Sequence, residues 1–199
     1  MRGHFLPIVV KSDKMLSGYT IQPVTAMRNH PELAPDTAGL YALLLDHPDA
    51  IRPSLEAASL RLDGLRLGKR PILYIGATSD SLRRRLKTHT SHDTCRSTFR
   101  MSLGAVLAEQ LHLVAQPVVG QPYFGFDSSS EAKLSAWIDG HVSIAFRADP
   151  ASMVLERDLI ASGDPLLNIA GRHKRPGASQ ILELRKQCKG LRLDRGTLH

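Results

Sequence analysis

Seven consecutive residues, Gly39 to Leu45 (GLYALLL), carry no charge and a single polar side-chain atom, the hydroxyl of Tyr41. A run without polar alternation does not suit a sheet face exposed to water. It predicts a strand buried on both sides, ended by His47, Pro48 and Asp49. A second run, Ile72 to Gly76 (ILYIG), predicts another strand, and it too holds a tyrosine, Tyr74. Val142 to Phe146 alternates weakly and supplies a third candidate.

Helical spacing is present on both sides of the second run. Leu55, Ala58, Leu62 and Leu65 predict a helix over 54–67, with Pro53 just before it. Directly after Gly76, the cap candidates Thr78, Ser79 and Asp80 precede Leu82 and Leu86. A helix over 80–90 places Leu82, Arg85, Leu86 and His89 near one face. Further helices are expected over 97–113, 130–139, 150–162 (ended by Gly163) and near 178–189, with a loop over 120–126. Residues 1–36 are irregular, punctuated by Pro23, Pro31 and Pro35, and read as an N-terminal extension packed on the core, with Phe5 to Val10 as a strand or an arm.

Lys and Arg total 26 against 19 acids, a net charge of +7 and a pI near 9.7, which favours polyanionic partners. The charge is concentrated. From Arg83 to Arg100 there are six Lys/Arg and one acid, and from Arg172 to Arg195 eight against two. Two backbone-contacting surfaces are therefore expected, with Arg83, Arg84, Lys87, Arg96 and Arg100 on one and Lys174 and Arg175 on the other. Cys95 and Cys188 lack metal-ligand spacing and read as reduced thiols of a cytoplasmic protein. No window reaches the length of a membrane span and no signal peptide is evident.

Taken singly, a strand tyrosine is ordinarily a core residue, and a glutamate within a helix is ordinarily solvated. Their order is what informs. GLY with Tyr41, YIG with Tyr74, LRRRL with Arg85, then His89, LERDLI with Glu156 and PLLN with Asn168 follow one another along the chain. This arrangement resembles the GIY-YIG nucleases, over roughly 39–168. It departs from compact members in the long gap between the tyrosines, which the 54–67 helical insert fills. An apparent extra residue before Leu82 also makes Arg84 a competitor of Arg85.

The resemblance implies an α/β (α+β) domain over 37–170: a small three-stranded, mainly antiparallel sheet flanked by helices, followed by a basic tail over 171–199. It implies a metal-dependent endonuclease of restriction, defence or repair type that acts on DNA, with RNA left open and a homodimer allowed. Tyr41 would act as the general base or position it, and Glu156 would hold a single divalent cation, Mg²⁺ or Mn²⁺. Arg85 and His89 would supply positive field and grip phosphate, Tyr74 would orient water or phosphate, and Asn168 would hold the loops together. The competing expectation is a scaffold of the same family that grips nucleic acid without cutting.

Overall fold

The computed structural model describes residues 17–121, 123–170 and 175–190. Phe5 to Val10 and Lys174 lie outside them. The described chain forms β1 (Thr20–Pro23), α1 (Val24–Asn29), β2 (Gly39–Leu45), α2 (Arg52–Ala57), β3 (Arg66–Leu67), β4 (Arg70–Thr78), α3 (Leu82–Thr90), α4 (Thr98–Leu107), β5 (Ala115–Pro117), β6 (Phe124–Phe126), α5 (Ser128–His141), β7 (Val142–Ala148), α6 (Ser152–Gly163) and α7 (Pro176–Cys188). Helices and an antiparallel sheet make it α+β.

The main sheet has five strands in the order β1-β7-β2-β4-β3, every neighbouring pair antiparallel. The expected three are its centre, β7-β2-β4. The two additions are short edge strands whose polar, exposed residues give no apolar run to read. β1 comes from the N-terminal extension, which is thereby tied to the sheet through Thr20 to Pro23. The 54–67 insert is helical only to Ala57, and the Ser54 hydroxyl donates to Gln110 at 2.6 Å. The expected loop over 120–126 ends in β6, which pairs with β5 as a small hairpin. No helix among the described residues is long and apolar enough to cross a membrane.

β2 is buried along its whole length, as its composition requires. Its odd residues, Tyr41, Leu43 and Leu45, pack into the larger core with Leu73, Tyr74, Leu82, Leu86 and Phe99. Its even residues, Leu40, Ala42 and Leu44, pack with Leu159 and Ile160 of α6 on the other face. A bulge between Leu43 and Leu44 takes in one extra residue of β4, so Leu73 and Tyr74 both belong to the larger core.

The two motif glycines have separate steric reasons. A Cβ on Gly39 would overlap the Leu82 side chain and the Arg147 carbonyl. Gly76 is the cross-strand partner of Tyr41, whose ring lies over it, and a Cβ there would overlap the ring and its hydroxyl. Gly76→Ala is therefore expected to cost about 1–3 kcal/mol in overpacking and to displace the Tyr41 phenol. Thermal unfolding and a plasmid-nicking assay check the two halves separately. A variant as stable and as active as the parent would remove the steric requirement.

Candidate active site

α3 starts where Ser81 Oγ accepts the Arg84 amide at 3.0 Å, so the helix runs over Leu82–Thr90. Its first two amides, of Leu82 and Arg83, donate to the carbonyls of Thr37 and Pro35 just before β2. This fixes α3 against the start of β2 and lays its inner face on Tyr41. Leu82 and Leu86 are buried there, and one turn on, His89 is buried beside the phenol.

Four of the six expected catalytic residues meet directly or ring to ring. Arg85 Nε–H donates to Tyr41 Oη at 3.1 Å. His89 Nε2 lies 2.7 Å from the same oxygen. The Tyr41 and Tyr74 rings stack at 6.4 Å, and the Tyr74 and His89 rings lie 5.7 Å apart. Between the two arginine candidates, Arg85 is the one that reaches the tyrosine. Arg84 is exposed and paired with Asp80.

Glu156 comes from α6, which is anchored to the end of β4 by a hydrogen bond from Ser152 Oγ to the Thr78 carbonyl, 3.1 Å. Its carboxylate lies within electrostatic reach of the Ala77 backbone N–H and of Arg85. Burial pushes its pKa up, and Ala77 and Arg85 work against that rise. Asn168 has another task. Its side-chain amide donates to the Ile75 carbonyl and accepts from the Ile75 amide, both at 2.8 Å. A carboxamide carries one acceptor and two donors, so it pairs with β4 as a neighbouring strand residue would. The adjacent Leu167 amide donates to the Leu73 carbonyl at 2.8 Å.

Burial raises the Tyr41 hydroxyl well above the ordinary tyrosine value, Tyr74 adds to the rise, and Arg85 pulls it back in part. Tyr74 is raised by burial in the same way. Burial opposes the charge on Arg85, but the two tyrosines and Glu156 outweigh it and keep the guanidinium protonated. Burial holds His89 at about 3, with Arg85 and Arg100 adding to the fall, so the ring is neutral.

The depressed His89 pKa has a stability consequence. Between about 3 and the ordinary value of 6.5, the unfolded chain takes up a proton that the native ring refuses. The contribution is complete above pH 6.5 and is lost as pH falls toward 3. Unfolding temperatures measured down this range are expected to fall less steeply for His89→Gln than for the parent. Identical slopes would contradict the burial of a neutral ring.

Sequence reasoning missed Ser97. It caps α4 by accepting the Arg100 amide at 3.1 Å, and its Oγ lies 2.8 Å from His89 Nδ1. The signal was a cap serine eight positions after the histidine, visible only once the helix start was fixed.

The nucleic-acid expectations divide. Lys87, Arg84 and Arg96 are exposed, while Arg83 is half-buried and donates to the Ala34 carbonyl at 3.1 Å. Arg175 is used at the start of α7, donating to the Ala161 carbonyl at 2.8 Å and pairing with Asp164 at 3.1 Å. Arg100 contradicts its expectation. It is 0 % exposed and bonded to Glu131 at 2.7 Å and Ser135 at 3.0 Å, so it cannot face a nucleic-acid backbone.

Residues 39–187 match the family model of the GIY-YIG catalytic domain. The chain belongs to the GIY-YIG family. The matched span takes in the helices from α2 to nearly the end of α7, together with β2 to β7. No curated protein and no solved structure matches the chain. A GIY-YIG catalytic domain is a nuclease domain, and its substrate is accordingly nucleic acid.

One metal implied by that family has to suit these residues. Among the described residues no three His, Cys, Asp or Glu side chains gather to form a metal cage. A lone half-buried carboxylate beside a guanidinium suits a hard cation that keeps most of its own waters, such as Mg²⁺, and does not suit zinc. Glu156 fits that role.

Proposed function

We propose that this GIY-YIG protein is a metal-dependent endonuclease that hydrolyses DNA phosphodiesters, with Tyr41 as the general base and Glu156 as the metal ligand. The observation that carries the reading is the pair of contacts at Tyr41 Oη, with Arg85 Nε at 3.1 Å and His89 Nε2 at 2.7 Å.

Hydrogen-bond bookkeeping orients that pair. Ser97 Oγ already accepts from the Arg100 amide, so its own proton needs an acceptor, and His89 Nδ1 is the one within reach among the described residues. His89, being neutral, then carries its proton on Nε2 and donates to Tyr41. Two N–H groups thus point at one phenolic oxygen, and the Tyr41 proton is directed away from both. Such an oxygen is built to carry negative charge. As phenolate it takes a proton from water. The O–H bond of water breaks, the hydroxide oxygen bonds to phosphorus, and the P–O bond breaks with its electron pair going to the leaving sugar oxygen, which takes a proton from solvent.

Arg85 offers its guanidinium to the phosphate, and Tyr74 flanks the path. When bound at Glu156, the cation supplies positive charge that favours both the phenolate and the phosphorane-like transition state. Asn168 keeps β4, and with it Tyr74, in register. A single site of this kind cuts one strand at a time, so a double-strand break requires two copies or two successive events. Restriction, defence and repair roles all accept that chemistry.

The test uses supercoiled and linear DNA with Mg²⁺, Mn²⁺ or EDTA, and Glu156→Ala as control. Metal-dependent nicking that the variant loses by at least about 10²-fold is expected. Binding without cleavage under every metal would leave a nucleic-acid-binding module instead.

A further inference from the structure

The basic residues of the C-terminal region do not all serve the surface. Arg185 lies on α7 one turn beyond Ile181, which is fully buried in the apolar cluster that also holds Tyr74, Phe99 and Met101. A four-residue step keeps both side chains on one face of the helix, the face packed on α4. Arg185 Nη2 accordingly meets Met101 Sδ at 3.4 Å, and the Phe99 ring on the same helix lies 6.2 Å from the Tyr74 ring.

What distinguishes Arg185 is the missing anion. Arg28, Arg100 and Arg147 are each at least partly buried, and each meets a carboxylate, on Asp139, Glu131 and Asp149. Arg185 meets none among the described residues, and its Nε is sealed from solvent with no acceptor. A guanidinium partly withdrawn from water without a counter-charge is costly, and an uncharged side chain of similar volume would fill the seat at lower cost. Arg185 thus touches the same helix, α4, that packs Phe99 against Tyr74, which puts this cation on the Tyr74 side of the proposed phosphate site. It also lowers the pKa of the Tyr74 hydroxyl, less than Arg85 does.

We propose that Arg185 is a second phosphate-gripping guanidinium, taking a backbone phosphate of the substrate strand on the Tyr74 side of the site, next to the phosphate that Arg85 faces. The inference rests on the nuclease reading above. It extends the substrate path from α3 across Tyr74 to α7, so that α7 belongs to the binding surface and is more than a solvated basic end. A phosphodiester supplies the absent anion, and the fork of a guanidinium matches two of its oxygens.

The test measures binding of a fluorescein-labelled DNA duplex to the full chain in EDTA, which prevents cutting, over a salt series. Arg185→Gln is expected to weaken binding about tenfold and to lower the log–log salt slope by about 1. Arg185→Lys is expected to keep the slope and lose part of the affinity. Unchanged affinity and slope in a folded Arg185→Gln overturn the proposal. If that variant unfolds, the Arg185 Nε–H resonance of the unsubstituted chain, assigned by its absence from Arg185→Lys, gives the answer. It is expected to shift as duplex is added, and a resonance that stays fixed at saturation overturns the proposal. The nuclease reading fails separately. A chain that never cuts but whose salt slope depends on Arg185 loses the enzyme and keeps the contact, and the reverse pattern does the opposite.

Discussion

Tyr41→Phe is expected to lower strand cleavage by about 10²–10⁴-fold, the range for loss of a positioned general base, while DNA binding changes little. The ring and its packing over Gly76 are kept, so the loss reports the hydroxyl alone. Single-turnover rates and duplex binding in EDTA separate the two effects. Burial keeps the Tyr41 phenol protonated through the neutral range, so the phenolate fraction grows as pH rises. The parent rate should climb with pH up to tenfold per unit, and the phenylalanine variant should lose that dependence. A stability cost accompanies the kinetic one. Arg85 is half-exposed and regains water, but the His89 Nε2–H is buried and loses its acceptor. That costs about 1–3 kcal/mol, to be read as a lower unfolding midpoint. A variant that cuts at the parent rate with the parent pH dependence would remove Tyr41 from proton transfer.

The residues at this oxygen were legible because each sits in a strong local signal. Tyr41 and Tyr74 lie in apolar runs, and Arg85 and His89 share a face with Leu82 and Leu86, whose spacing announces α3. What could not be read was anything decided by a distant partner. β1 and β3 owe their strand character to β7 and β4, and a two-residue strand such as Arg66–Leu67 has no period of its own. The choice between Arg84 and Arg85 turns on a one-residue rotation about α3, fixed by where Ser81 caps it. Arg185 counts as tail charge in the sequence, which registers its sign and cannot register that it meets no carboxylate among the described residues. Arg100 is the instructive error. Its neighbours are basic, so a tally of charge assigns it to the surface, but its counter-charge comes from Glu131 on α5.

Glu131→Leu is expected to destabilise the fold by about 3–5 kcal/mol, the range for leaving one partner of a buried ion pair uncompensated. Arg100 is wholly enclosed, and its Nε and Nη1 already lack acceptors among the described residues, so Glu131 is the carboxylate that neutralises it. Glu131 also takes the Thr94 amide and hydroxyl, each at 3.0 Å, and so fixes the short turn over Thr94–Arg96 that leads into Ser97. Losing it therefore loosens the serine that sets the His89 tautomer, and cleavage should fall even at temperatures where the variant remains folded. Denaturant unfolding of Glu131→Leu, Arg100→Met and the double variant Arg100→Met/Glu131→Leu tests the ion pair by a mutant cycle. The double variant is expected to recover most of the stability, because two apolar side chains of similar volume need no desolvation. Its activity should recover less, since Thr94 regains no acceptor. Equal recovery of both would mean that the pair only fills space, and that Ser97 holds His89 without help from α5.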